Sequence, residues 1–296
     1  MRVVTLLPAA TEVVAALGGA GHLVGISHEC DYPASVQGLP RVTATPVDTR
    51  ASSAGIDAEV RRLRAAGRPV IGIELEQLRR LAPDLVITQG LCEVCAVADG
   101  EVHRLVRGLA QPPAVLALEA RNLEGIWGDI RRVGGALDLD DDAEELVLGL
   151  QTRLARLRSV RPADRPRVVC IEWLDPLYLA GHWVPELVQA AGGEDVGAAP
   201  GSHSALHDWR ELSRLEPDLV VVMLCGFGLD RARAELESLD HRAALDLLRR
   251  VPVWIIDGNA YTSRPGPRVV DGAARIRSAM QGREDQGVER WRPPRS

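Results

Sequence analysis

Leu75-Glu76-Gln77-Leu78-Arg79-Arg80-Leu81-Ala82-Pro83-Asp84-Leu85-Val86-Ile87 and Trp209-Arg210-Glu211-Leu212-Ser213-Arg214-Leu215-Glu216-Pro217-Asp218-Leu219-Val220-Val221 repeat one pattern. Each holds a short helical stretch, a Leu-x-Pro-Asp turn and a run of apolar residues. Proline stops the helix, aspartate can hydrogen-bond nearby backbone in the turn, and the apolar run suits a buried strand. Coincidence between common turns is the alternative. The shared Leu-x-Pro-Asp-Leu-Val, at corresponding places of two halves, argues instead for two similar α/β lobes.

The rest of the chain extends this pattern. Strand-like runs at Arg2–Leu7, Leu23–Ser27, Leu85–Thr88 and Ala114–Leu118 are followed by Arg167–Glu172, Leu219–Leu224 and Val253–Ile256. Helical patterns lie between them, which predicts an α/β fold of parallel sheets flanked by helices. Ile126, Ile130, Val133, Leu137, Leu146, Leu148, Leu150 and Leu154 recur at roughly helical spacing and predict one long or kinked helix between the halves, with Gly134-Gly135 and Asp138–Asp142 as the places where it could break. A helix belonging to one domain is the alternative. The expected organisation is a lobe over 1–120, a bridging helix over 121–160, a second lobe over 161–280 and a mobile tail over 281–296.

Composition excludes several classes. The 296 residues suggest two domains, and the net charge of −6 leaves no basic stripe for nucleic acid. All 35 basic residues are arginine, so Schiff-base chemistry and a Walker-A phosphate loop, which need a lysine amine, are out. No apolar run is long enough for membrane insertion as a helix. Pro8 and Glu12 interrupt any leader-like stretch, so a cytoplasmic protein is expected, with its five cysteines as thiols.

Four segments could carry chemistry, and all follow strands, where open α/β sheets gather ligands. Ser27-His28-Glu29-Cys30-Asp31-Tyr32-Pro33 packs imidazole, thiol, carboxylates and a ring into one loop. Cys92-Glu93-Val94-Cys95 can chelate a metal or cycle as a disulfide, and with His28 and Cys30 would form a Cys3His set. Trp173, Tyr178 and Trp183 can wall a flat ligand, with His203 and His207 in a nearby loop; core packing is the alternative. Tyr261 and Arg264 open the last helix and can reach an anionic or amide-bearing ligand, or simply form a solvated helix entry. No nucleophile and base can be paired, so an enzyme is unsupported.

With Leu7-Pro8-Ala9-Ala10-Thr11-Glu12, Gly25-Ile26-Ser27, Asp31-Tyr32-Pro33, Leu81-Ala82-Pro83-Asp84-Leu85-Val86 and Ser263-Arg264-Pro265-Gly266-Pro267-Arg268, the chain resembles a known family from about Val3 to Met280. These are the substrate-binding proteins of vitamin B12 and iron-siderophore ABC transporters, the class III periplasmic-binding-protein fold or helical-backbone metal receptors. The likeness is greatest to cobalamin-binding members. The resemblance implies two α/β lobes joined by one long backbone helix, with a small-molecule ligand in the cleft between them. It implies a cobalamin or related corrinoid held by His28, Tyr32, Trp173, Trp183, His203, Tyr261 and Arg264. Transport members dock an ABC permease through a Glu on each lobe; Glu76 fits the first, whereas the second position holds Arg210, with Glu211 one place on. One residue on a helix turns a side chain by about 100°. Transport members are also exported and thiol-poor, whereas Cys30, Cys92 and Cys95 could ligate zinc, another soft metal or cobalt. The expected function is corrinoid binding; soft-metal binding by His28, Cys30, Cys92 and Cys95, and an enzyme acting on a corrinoid or organometallic substrate, are the alternatives.

Overall fold

Strand and helix alternate from the first residues of the computed structural model, which describes residues 1–90, 99–159 and 164–293. The first stretch runs β1 (Val3–Thr5), α1 (Pro8–Ala16), β2 (Leu23–Gly25), β3 (Thr43–Ala44), α2 (Ser53–Ala65), β4 (Gly72–Ile73), α3 (Leu75–Leu81), β5 (Leu85–Gln89), α4 (Asp99–Val106) and β6 (Ala114–Leu118). Helices α5 (Leu123–Ala136) and α6 (Asp140–Ser159) follow. The second stretch runs β7 (Arg167–Trp173), β8 (Tyr178–Leu179), α7 (Val184–Ala191), β9 (Glu194–Asp195), β10 (Ala205–Leu206), α8 (Trp209–Arg214), β11 (Leu219–Val222), α9 (Leu229–Glu237), α10 (Arg242–Leu248), β12 (Val253–Ile256), α11 (Gly258–Tyr261), α12 (Val269–Met280) and β13 (Val288–Trp291). Two units result: Met1–Ala51, Gly55–Ala120 and Glu124–Gly149 form the first; Ser52–Ala54, Arg121–Leu123 and Leu150–Ser296 form the second.

In the first unit the sheet order is β2-β1-β5-β6, every pair parallel. β1 and β5 are buried throughout, as their unbroken apolar sequence requires of a strand covered on both faces. Val4, Leu6, Val42, Leu63, Leu78, Val86 and Val102 share one core cluster.

The second unit repeats that order. Its parallel strands run β9-β7-β11-β12, to which β8, β10 and β13 add antiparallel members. The duplicated turn is the same in both. Asp84 accepts from the backbone N–H of Arg2 at 2.6 Å, and Asp218 from that of Arg167 at 2.7 Å. The Arg2 and Arg167 side chains donate back to the carbonyls of Leu81 and Leu215, at 2.9 and 2.7 Å. The variable residue of the turn, Ala82 or Glu216, is left-handed in each, with φ of 39° and 46°.

Two expectations are sharpened or changed. The segment between the halves is two helices, α5 and α6, broken within the Gly134–Asp142 stretch where the sequence allowed a break, at Asp138, which turns left-handed at φ 58°. Gly134 makes the break compact: a Cβ there would lie 2.5 Å from Cβ of Ala143, so only glycine lets the start of α6 lie against the end of α5. The tail expected to be mobile instead supplies β13, paired along all four residues of β12, with Val288 and Trp291 buried. Its polar residues disguise it: Glu289 is held by Arg233 at 2.5 and 2.8 Å.

Candidate functional site

β7, β11 and β12 run parallel, so their carboxyl ends share one edge of the second unit, the position where open α/β sheets present ligand-binding loops. Trp173 ends β7. Its ring meets Phe227 edge-on, centroids 5.3 Å apart, and its Nε1 donates to the carbonyls of Asp175 and Ser53 at 3.1 and 3.2 Å. The Arg231 guanidinium lies 3.5 Å over the Phe227 ring. The loop after β11 is tied to its neighbours through Cys225 N–H to Glu172 O and Asn259 N–H to Phe227 O, at 3.0 and 3.1 Å. An edge-on aromatic pair, its Phe227 ring buried and covered by the Arg231 guanidinium, is thus fixed at the sheet edge.

Beside β8 and α7, the segment Gly181-His182-Trp183 is clamped to a second loop. His182 N–H donates to Ser202 O at 2.6 Å, and Gly201 N–H donates to His182 O at 2.9 Å. Gly181 permits this approach, since a Cβ there would lie 2.6 Å from the His203 carbonyl carbon and 2.7 Å from Ser204 N. His182 itself is left-handed, φ 54°, a conformation that costs a non-glycine residue energy and so marks a position worth explaining. The result is an imidazole pair: the His182 and His203 rings stand 5.4 Å apart at 87°, with Ser204 Oγ 3.4 Å from Nδ1 of His182. Burial, then the charges of His203 and Arg121, lower the His182 pKa and so favour the neutral ring.

The residues expected to bind ligand fall into different environments. Trp183 is 6% exposed and donates Nε1 to Thr262 O at 2.8 Å, which ties the His182 segment to the loop after β12. Arg264, in that loop, is buried and donates to Asn259 Oδ1 at 2.7 Å. The Tyr261 ring lies against Gly287, 4.7 Å under the Arg275 guanidinium. His203 is exposed and Trp173 half-buried. His182 and Phe227 were not singled out from sequence. Phe227 is the only phenylalanine in the chain, which could have flagged it; nothing local distinguishes His182.

In the first unit, the loop after β2 is held by Arg41, which donates to the carbonyls of Ser27 and Cys30 at 3.0 and 2.6 Å. Nδ1 of His28 lies 2.7 Å from Thr43 Oγ1, and its Nε2 is buried with no partner among the described residues. Burial, then Arg41, lower its pKa. Cys30 is buried with Sγ 3.0 Å from Thr11 Oγ1, and Tyr32 is 48% exposed. Cys92 and Cys95 lie outside the described residues. Among the described residues no group of three or more His, Cys, Asp or Glu side chains is placed to hold a metal ion, and two of the four residues of the Cys3His set lie outside them. The expected docking residues Glu76 and Glu211 are exposed, in the first turns of α3 and α8. No helix among the described residues is long and apolar enough to cross a membrane.

Known proteins are similar to this chain in sequence and in fold. The profile of the periplasmic binding protein family matches residues 3–254. A vitamin B12-binding protein of Pectobacterium carotovorum is 22% identical over 285 residues, 94% of this chain and 88% of that protein. A periplasmic heme-binding protein of Pseudomonas aeruginosa superposes with a TM-score of 0.71 at 21% identity, covering 100% of this chain and 99% of that one. A periplasmic vitamin B12-binding protein of Vibrio cholerae does so with a TM-score of 0.65 at 20% identity, covering 95% and 96%. These matches overturn the expected cytoplasmic placement. That expectation rested on the absence of a leader-like stretch at the first residue, and where a sequence starts is no physical evidence of compartment. The match over most of its length shows that the chain belongs to the periplasmic binding protein family.

Proposed function

We propose that this protein binds a metal tetrapyrrole, a corrinoid in the first instance, as the ligand-binding component of an ABC transporter. The observation that carries the reading is the carboxyl edge of the second unit's sheet. There the half-buried Trp173 ring, propped edge-on by the buried Phe227, offers an apolar indole face, with the Arg231 guanidinium stacked on Phe227 beside it. A broad ring with polar substituents suits that combination, because apolar area supplies affinity and a few placed polar groups supply orientation. The names of similar proteins, which bind vitamin B12 or heme, point to the same ligand class. Heme is the second reading, favoured by the His182–His203 imidazole pair, since imidazole is a common ligand of heme iron.

The test is absorbance titration of the purified protein with aquocobalamin, hemin and a ferric hydroxamate. A saturable change at one equivalent with either tetrapyrrole, and none with the hydroxamate, is expected. Saturation by the hydroxamate alone would overturn the reading. Glu76 and Glu211 are the residues offered to a permease; replacing both with Ala should abolish uptake in cells while ligand titration stays unchanged.

A further inference from the structure

We propose that His182 ligates the metal of the bound tetrapyrrole directly, so that the protein selects ligands whose axial position can be exchanged. This rests on the tetrapyrrole reading and deepens it. Three features single out His182 from the other histidines. Its backbone is held left-handed by hydrogen bonds on both sides, to Ser202 O and from Gly201 N–H, so the loop fixes the point and direction from which the side chain leaves the backbone. Its ring is half-buried and flanked by the rings of Trp183 at 5.6 Å and His203 at 5.4 Å. Its Nδ1 is the nitrogen beside Ser204 Oγ, and Nε2 is left for another partner. A metal-ligating imidazole characteristically has its other nitrogen engaged in this way, which fixes ring orientation and tautomer. His203, set edge-on to His182, is a positioning residue.

The step is a simple ligand exchange. A neutral imidazole Nε2 donates its lone pair to cobalt or iron, the bound water leaves as water, and the metal keeps its oxidation state. Aquocobalamin and ferric heme carry an exchangeable water. Cyanocobalamin, with cyanide held firmly at the same position, does not.

The experiment compares aquocobalamin with cyanocobalamin on the wild type and on His182→Asn, a substitution that tolerates the left-handed backbone but removes the imidazole. The wild type should bind aquocobalamin more tightly by at least about tenfold, the scale on which metal-site substitutions act. It should also shift the main near-ultraviolet corrin band to that of an imidazole-ligated species. In His182→Asn the affinity ratio should fall to near one and the shifted band should vanish, returning when free imidazole is added. Equal ratios in both proteins, or an unshifted band in the wild type that nevertheless binds, would overturn the ligation while leaving the tetrapyrrole reading intact. Loss of both corrinoids to the same extent in His182→Asn would show that His182 shapes the loop rather than ligates, and would also overturn it. A wild type that binds neither corrinoid nor hemin would sink both readings together.

Discussion

Asp84 and Asp218 serve at one position of a repeated turn, and their work is done across the sheet rather than within the turn. Each carboxylate accepts from the backbone of the residue that leads into, or begins, the central strand, and that residue's arginine side chain closes the loop. A hydrogen bond to a charged acceptor contributes about 1.5–3 kcal/mol net. Asp218→Ala should therefore lower the denaturant midpoint by an amount corresponding to roughly that range. An unchanged midpoint would show that the turn holds without it. Asp195 acts in the opposite sense. Burial pushes its pKa from 3.8 to about 6, although Oδ1 accepts from the N–H groups of Gly197 and Ala198 at 2.9 and 3.0 Å. The folded state thus disfavours the carboxylate. Stability should fall as pH rises from about 4 to about 6 and then level off, by on the order of 3 kcal/mol from this group. Chemical denaturation across that pH range checks it, and the slope should flatten in Asp195→Asn.

At the scale of elements, β13 shows how a polar stretch can be structural. Val288 and Trp291 bury their side chains, and pairing with β12 leaves its neighbour no free edge. Ending the chain after Met280 should cost about 4 kcal/mol from the lost burial of these two side chains. Thermal melting should show the loss, and a shortened protein as stable as the full chain would mean that β13 adds nothing. The clamp between the His182 segment and the 201–204 loop is a second such element. Gly181→Val would push Ser202 and His203 away. The imidazole pair should then be lost together with the imidazole-type corrin spectrum, even where the protein still folds.

For the molecule as a whole, two units carry two versions of one strand order, β2-β1-β5-β6 and β9-β7-β11-β12. The second differs by its additions: β8, β10 and β13 surround the shared four strands, and the loops that carry His182, Phe227 and Arg264 occur in that enlarged half. A ligand that binds only the folded protein raises its stability by mass action, about 2.7 kcal/mol at a hundredfold excess over Kd. Aquocobalamin or hemin at such an excess should therefore raise the melting temperature, whereas a ferric hydroxamate should leave it unchanged.

Much of this was legible from residue order. The Leu-x-Pro-Asp repeat, the apolar strands and the alternation with helices are local patterns, and local patterns survive in any view of the chain. They were enough for two α/β units, for the parallel strands and for the family. The sequence also marked Trp173, Trp183, Tyr261 and Arg264, because aromatic rings are scarce here and loops after strands are where ligands gather. It could not separate the ring at a sheet edge from the ring in a core. Trp183 is buried and bonded to the Thr262 carbonyl, Tyr261 lies against Gly287, and Trp173 is paired with Phe227, all partners far away along the chain. The close packing at the break between α5 and α6 depended on Gly134 meeting Ala143, and β13 on an antiparallel partner strand 32 to 38 residues earlier, Val253 opposite Trp291 and Ile256 opposite Val288. His182 had no local signature at all: its backbone conformation, its clamp and its imidazole partner come from a loop twenty residues on. Periodicity and punctuation reside in neighbouring residues, whereas burial, strain and the pairing of titratable groups exist only once distant segments meet.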